Sequence, residues 1–129
     1  MPIVRVDVPD EHPREVLLAV KRSIEAAVAR TWAKDHIYVA IHPMVTAPGE
    51  RTAIVTVDLR PGRGEEERRA KALYREILAV LRSSLNTEPD RFVLLVREFQ
   101  ERCFVVDGGK RLPPLKDLTP PLEEPDLIP

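Results

Sequence analysis

From Ile3 to Val8, apolar and polar positions alternate, with Val4, Val6 and Val8 on one side and Ile3, Arg5 and Asp7 on the other. A two-residue period of this kind predicts a half-buried strand. Pro9-Asp10-Glu11-His12-Pro13 ends it, and Pro13 suits the first turn of a helix, where a missing N–H goes unnoticed. Between Arg14 and Trp32 the period changes. Val16, Leu17, Val20, Ile24, Ala27 and Val28 form a 3.6-residue stripe on an Ala-rich helix. Ile37 to Ile41 predicts a second strand, closed by Pro43, and Thr46 to Glu50 a loop.

The pattern then restarts. Thr52 to Leu59 predicts a third strand, with Ala53, Val55, Val57 and Leu59 facing one way. Arg60-Pro61-Gly62-Arg63-Gly64 is a turn. Glu65, Glu66 and Glu67 open a second helix, where negative charge suits the N-terminal dipole. Its stripe is Ala70, Leu73, Tyr74, Ile77 and Leu81, and it stops by Asn86. Phe92 to Val96 predicts a fourth strand, and Cys103 to Val106 a short extra one.

The chain therefore reads strand-helix-strand twice, and Val4-Arg5-Val6-Asp7-Val8 answers Val55-Thr56-Val57-Asp58-Leu59. A helix joining two strands lets them lie parallel through a right-handed crossover. The expected fold is α+β: two fused β-α-β units, about 2–44 and 52–98, in one four-stranded sheet with both helices on one face and a short C-terminal hairpin. The opposite face would carry Arg5, Asp7, Thr56 and Asp58 beside Ile3 and Ile54, a mixture that suits water or another subunit. A domain of 1–110 is followed by an extended arm, 111–129, which holds six of the 13 prolines.

Composition narrows the chemistry. Twenty basic and 21 acidic side chains nearly cancel to −1, which argues against nucleic-acid binding. No apolar run reaches a membrane-spanning length, and Met1 to Asp7 has no signal-peptide layout, so a cytoplasmic location is expected. The single Cys103 leaves no internal disulfide and no Cys-based zinc site. Phosphate loops, nucleophile elbows and metal-spaced histidine pairs are missing. His12, His36 and His42 are read as structural or solvent-facing, and no metal or cofactor is expected.

Two features point to a reaction. Pro2 follows the initiator Met and leads straight into a core strand. Removal of Met1 would leave a secondary amine at the end of a rigid element. An α-amino group titrates at about 7.7–8.0. Nearby cations and burial lower that value, bringing a general base close to neutrality. The second feature is Arg60-Pro61-Gly62-Arg63, two guanidinium groups on a turn into a helix N-terminus, a pattern suited to holding a carboxylate. Whether Pro2 meets this turn depends on the direction in which the first and third strands pair.

Taken together, these residues resemble the tautomerase superfamily, which works with an amino-terminal proline. Val57 to Glu66 and Phe92 to Glu98 look like one unit of 4-oxalocrotonate tautomerase. The whole of 2–110 is more similar to the fused members, malonate semialdehyde decarboxylase and cis-3-chloroacrylic acid dehalogenase. The resemblance implies antiparallel pairing across the junction of the halves, catalysis by Pro2, and carboxylate binding by Arg60 and Arg63. It also implies a catalytic role for Asp35 before the second strand, a pocket-closing role for Phe104, and a place for Asp107 near the dehalogenase's catalytic acid. Val28 and Leu95 stand where that dehalogenase has polar groups, which speaks against dehalogenation. The resulting expectation is a cofactor-independent homotrimer that tautomerises a small oxo acid. The alternatives are a decarboxylase of the malonate semialdehyde type, or a non-catalytic trimeric module if Met1 is retained.

Overall fold

The computed structural model describes residues 2–33, 36–103, 105–106 and 110–111. Strand β1 (Ile3–Pro9), helix α1 (Arg14–Trp32) and strand β2 (Tyr38–Met44) form the first unit. Strand β3 (Ala53–Leu59), helix α2 (Glu66–Leu85) and strand β4 (Phe92–Glu98) form the second. The four strands make one sheet in the order β2-β1-β3-β4. Each outer strand is parallel to its partner, and β1 pairs antiparallel with β3. Two-residue strands β5 (Val105–Val106) and β6 (Lys110–Arg111) form an antiparallel hairpin at the C-terminal end. The expected mixed sheet and hairpin are thus both present. Apart from Arg111, the expected arm at 111–129 lies outside the described residues.

Strand alternation becomes burial directly. Val4, Val6 and Val8 from β1 join Ala53, Val55, Val57 and Leu59 from β3 beneath the helices. Full burial of a side chain such as Val stabilises by about 1.5–3 kcal/mol, so these central strands anchor the core. The helices contribute Val20, Ile24, Val28 and Trp32 from α1, and Leu73, Ile77 and Leu81 from α2. Arg30 and Glu76 join the helices across their outer surface at 3.1 Å. The other sheet face leaves Ile3, Ile54, Val93, Leu95 and Tyr38 exposed.

Element ends differ from the sequence reading for local reasons. Strand β2 runs through Pro43 to Met44 rather than stopping. It is an edge strand, and Pro43 pairs in register with Val8, so the missing N–H removes no bond from a second neighbour. Pro13 stands just before α1 as its N-cap, and its carbonyl accepts the Leu17 N–H at 3.1 Å. Strand β4 extends to Glu98 because its parallel pairing continues to Leu59. Cys103 lies in a 3-10 turn, Glu101–Cys103, and the short strand begins at Val105.

Candidate active site

The antiparallel register of β1 and β3 decides which chain ends meet. Ile3 lies opposite Asp58. One step further along, Pro2 falls opposite Leu59, the last residue of β3, and Arg60 follows at once. Pro2 is buried, and its carbonyl accepts the Tyr38 N–H at 3.0 Å. The Leu59 carbonyl in turn accepts the Phe99 N–H at 2.9 Å. The starts of β1 and β2 and the ends of β3 and β4 are therefore tied into one corner of the sheet. The residues by themselves left this convergence open and the resemblance implied it; the antiparallel pairing of β1 and β3 brings Pro2 and the Arg60 turn to the same corner.

The turn is built from unusual backbone. Gly62 and Gly64 both have φ of 86°, and Glu65, the residue before α2, has φ of 55°. A left-handed conformation at a residue with a Cβ costs about 1–2 kcal/mol, so something must hold Glu65 there. That something is Arg69, one turn into α2. Its side chain is 2% exposed. Nη1 donates to the Thr31 carbonyl at 2.7 Å and Nε to the Gly64 carbonyl at 3.0 Å. Nη2 lies 3.5 Å from the Glu65 carboxylate. One guanidinium thus fastens the end of α1 to the turn that carries Arg60 and Arg63. Hydrogen bonds to a charged group are worth about 1.5–3 kcal/mol each, enough to offset the strain.

Charge in the turn is closely arranged. Arg60 is 9% exposed. Arg63 is partly buried, and burial first, then the neighbouring Arg69 charge, lowers its pKa. The Glu66 carboxylate accepts the Gly64 N–H at 2.9 Å. That bond, followed by one from its own backbone N–H, lowers its pKa against a small opposing effect of burial. Between the start of α2 and the ends of β3 and β4 lies a cavity of about 220 Å³, lined in part by Trp32, Leu59, Arg60, Ala70 and Val96.

Three site residues expected from the sequence, Asp35, Phe104 and Asp107, lie outside the described residues. His36 is exposed beside Tyr38, and His42 pairs opposite Asp7 on the open sheet face. Among the described residues, no group of three or more His, Cys, Asp or Glu side chains is placed to hold a metal ion. Among the described residues, too, no helix is long and apolar enough to cross a membrane. Two residues of this corner escaped the sequence reading. Arg69 falls four residues before Leu73, so the α2 stripe itself placed an arginine on the inner face. Trp32 falls four residues after Val28 and continues the α1 stripe to its end.

No protein-family model and no curated protein matches this sequence. Solved structures do match. The W0 fused 4-OT, a symmetric trimer, superposes with a TM-score of 0.74 at 15% identity, over 84% of this chain and 97% of that one. Pt0534 inactivated by 2-oxo-3-pentynoate gives 0.72 at 15% identity, over 84% and 94%. A macrophage migration inhibitory factor-like protein from Entamoeba histolytica gives 0.72 at 11% identity, over 82% and 95%. At such identities the likeness is one of architecture, carried by the doubled β-α-β unit and its antiparallel junction. The chain has the fold of these structures, the fused 4-OT among them.

Proposed function

We propose that this chain is a cofactor-independent tautomerase acting on a small oxo acid, with Pro2 as its amino-terminal base once Met1 is removed. The observation that carries the reading is the β1–β3 register, which sets Pro2 opposite Leu59 and beside the Arg60 turn. Pro2 takes a proton from the carbon next to the substrate carbonyl and returns one elsewhere on the enol. Arg60 holds the carboxylate by a charge-assisted pair. Arg63, a partly buried cation in the same turn, polarises the carbonyl and steadies the enolate. Asp35, Phe104 and Asp107 belong to the same proposed site as an assisting acid, a wall and a further carboxylate. The inactivation of Pt0534 by a 2-oxo acid supports that substrate class.

The active form is proposed to be a homotrimer. Exposed Ile3, Tyr38, Ile54, Val93 and Leu95 give the open sheet face an apolar surface that a second copy can cover. Fused 4-OT structures of this fold are trimers. Sedimentation should show the trimer at micromolar concentration, and a stable monomer would refute it.

Intact mass and a panel of 2-oxo and 3-oxo acids test the enzyme reading. A mass lacking Met, together with solvent deuterium entering the substrate next to its carbonyl, is the expected result. Adding one residue before Pro2 should lower activity by about 10²–10⁴-fold, the usual contribution of a positioned acid-base group, with the circular dichroism unchanged. Full activity with a verified blocked N-terminus would overturn the role of Pro2. Carbon dioxide release from a 3-oxo acid, with no exchange into 2-oxo acids, would instead identify the decarboxylase chemistry. Retention of Met1 with no turnover would identify a non-catalytic module.

A further inference from the structure

We propose that residues 122–129 of the C-terminal arm dock in the recess between α1 and β2, at the far end of the sheet from Pro2. The recess is about 260 Å³ and is lined by Arg14, Leu17, Leu18, Lys21, Ile41 and Pro43. Its four helix residues fall at i, i+3, i+4 and i+7, so they share one face of α1. Two leucines lie at the centre and a cation at each end, about 10.5 Å apart along the helix axis. Leu18 is 41% exposed, and Leu17 and Ile41 are only partly covered. Among the described residues, no acidic side chain lines this recess. Lys21 pairs with Glu25 on the next turn and keeps two further N–H donors.

The sequence of 122–129, Leu-Glu-Glu-Pro-Asp-Leu-Ile-Pro, complements this face. A polyproline helix has three residues per turn and rises about 3.1 Å per residue. Leu122, Pro125 and Ile128 therefore fall on one edge, and Glu123 and Asp126 on the next. The apolar edge packs on Leu17, Leu18 and Ile41. The two carboxylates, about 9.3 Å apart along that helix, face Arg14 and Lys21. All of 112–129 holds four acidic side chains and one basic, so charge draws it to this recess. The matching recess under α2 repels it, with Glu66, Glu67 and Glu98 against Arg60 in its lining. Length agrees as well. Arg111 ends β6, which packs on the 3-10 turn after β4. Strands about 4.8 Å apart, rising about 3.3 Å per residue, put the end of β2 about 25 Å from the end of β4. Residues 112–121 span about 31 Å as a polyproline helix, enough to reach and little more. Pro113-Pro114 and Pro120-Pro121 favour that extended form, which lowers the entropy lost on docking.

Cysteine pairs in the full chain test this, with Cys103→Ser to remove the single natural thiol. On mild oxidation, Leu18→Cys with Ile128→Cys should form a disulfide within one chain. It should form about tenfold faster than Glu67→Cys with Ile128→Cys in the other recess, because docking raises the local concentration of one thiol at the other. Arg14→Glu with Lys21→Glu should slow the first link by about three- to tenfold, as two exposed ion pairs are reversed. Glu123→Lys with Asp126→Lys should then restore it. In the natural chain, nuclear Overhauser contacts are expected between the methyl groups of Leu18 or Ile41 and those of Leu122 or Ile128. Their absence would overturn the proposal, even if the cysteine variants failed to fold. Linking that is no faster than at Glu67, that joins only separate copies, or that ignores the charge reversal would overturn it equally.

Discussion

The two halves of the molecule carry matching cavities that differ in charge and in backbone strain. Ile3 and Ile54 occupy equivalent places in the repeat and pair with Tyr38 and Val93. By the same correspondence Ile41 and Pro43 of β2 answer Val96 and Glu98 of β4. The first turns of α1 and α2 face these strands alike. One cavity, about 260 Å³, is lined by Arg14, Leu17, Leu18, Lys21, Ile41 and Pro43. The other, about 220 Å³, has Arg60, Trp32, Glu66, Glu67 and Glu98 in its lining. Pro9 stands where the second half has Arg60, and the buried stripes Val20-Ile24-Val28-Trp32 and Leu73-Ile77-Leu81-Leu85 make Leu85 the counterpart of Trp32. By the same match, partly buried Val16 answers Arg69. Equal backbone topology thus gives two recesses that differ in charge: Arg14 and Lys21 line one, and Arg60 with Glu66, Glu67 and Glu98 the other. The turn after β1 contains no residue with positive φ, whereas the turn after β3 has three. Strain and buried charge are concentrated at one corner, as is usual where a site must be pre-organised.

The sharpest way to break this contrast is to alter each end separately. Arg60→Ala should lower kcat/KM for an oxo acid by about 10- to 150-fold, or about 1.5–3 kcal/mol of a charge-assisted contact. Asp10→Ala, an exposed change at the opposite end of the sheet, should leave it unaltered. Equal losses from both variants would mean that the two ends are not functionally distinct.

Arg69→Leu puts an apolar side chain on the inner face of α2 in place of the guanidinium. The Thr31 and Gly64 carbonyls lose their buried donor, so urea denaturation should show a loss of about 2 kcal/mol, with a rise in KM as the Arg60 turn loosens. An unchanged midpoint would show that water replaces the guanidinium at no cost.

Gly64→Ala isolates the backbone strain, because a Cβ there meets nothing within 4 Å while φ stays at 86°. A loss of about 1 kcal/mol is expected in the same denaturation measurement. Added stability would mean that the turn relaxes without cost.

Glu66 should give the smallest effect, visible as a pH dependence. Its pKa in the folded protein is lowered, mainly by the Gly64 N–H. Its stabilising contribution is therefore complete above the ordinary carboxylate pKa of about 4.3 and fades as pH falls through the lowered value. Stability curves for Glu66→Gln and the natural protein should be separated at neutral pH and converge in acid. Parallel curves at every pH would remove Glu66 as the cap of Gly64.

Much of the architecture was present in the one-dimensional pattern. The two-residue period of Val4, Val6 and Val8 and the helical stripes from Val16 and Ala70 are local properties. Each dictates its element and its buried face without reference to the rest of the chain. Repetition of that pattern implied the doubled β-α-β unit, and the Arg60 turn was visible as two guanidinium groups before a helix. Tertiary structure alone decided the antiparallel junction, because strand direction across a long connection is set by how two hydrophobic layers close on each other. That junction brings Pro2 to Leu59. Only packing could show that Arg69 bonds to the end of the other helix, or that Trp32 is buried in the core. Those relations join residues far apart in the chain, and no period or spacing encodes them.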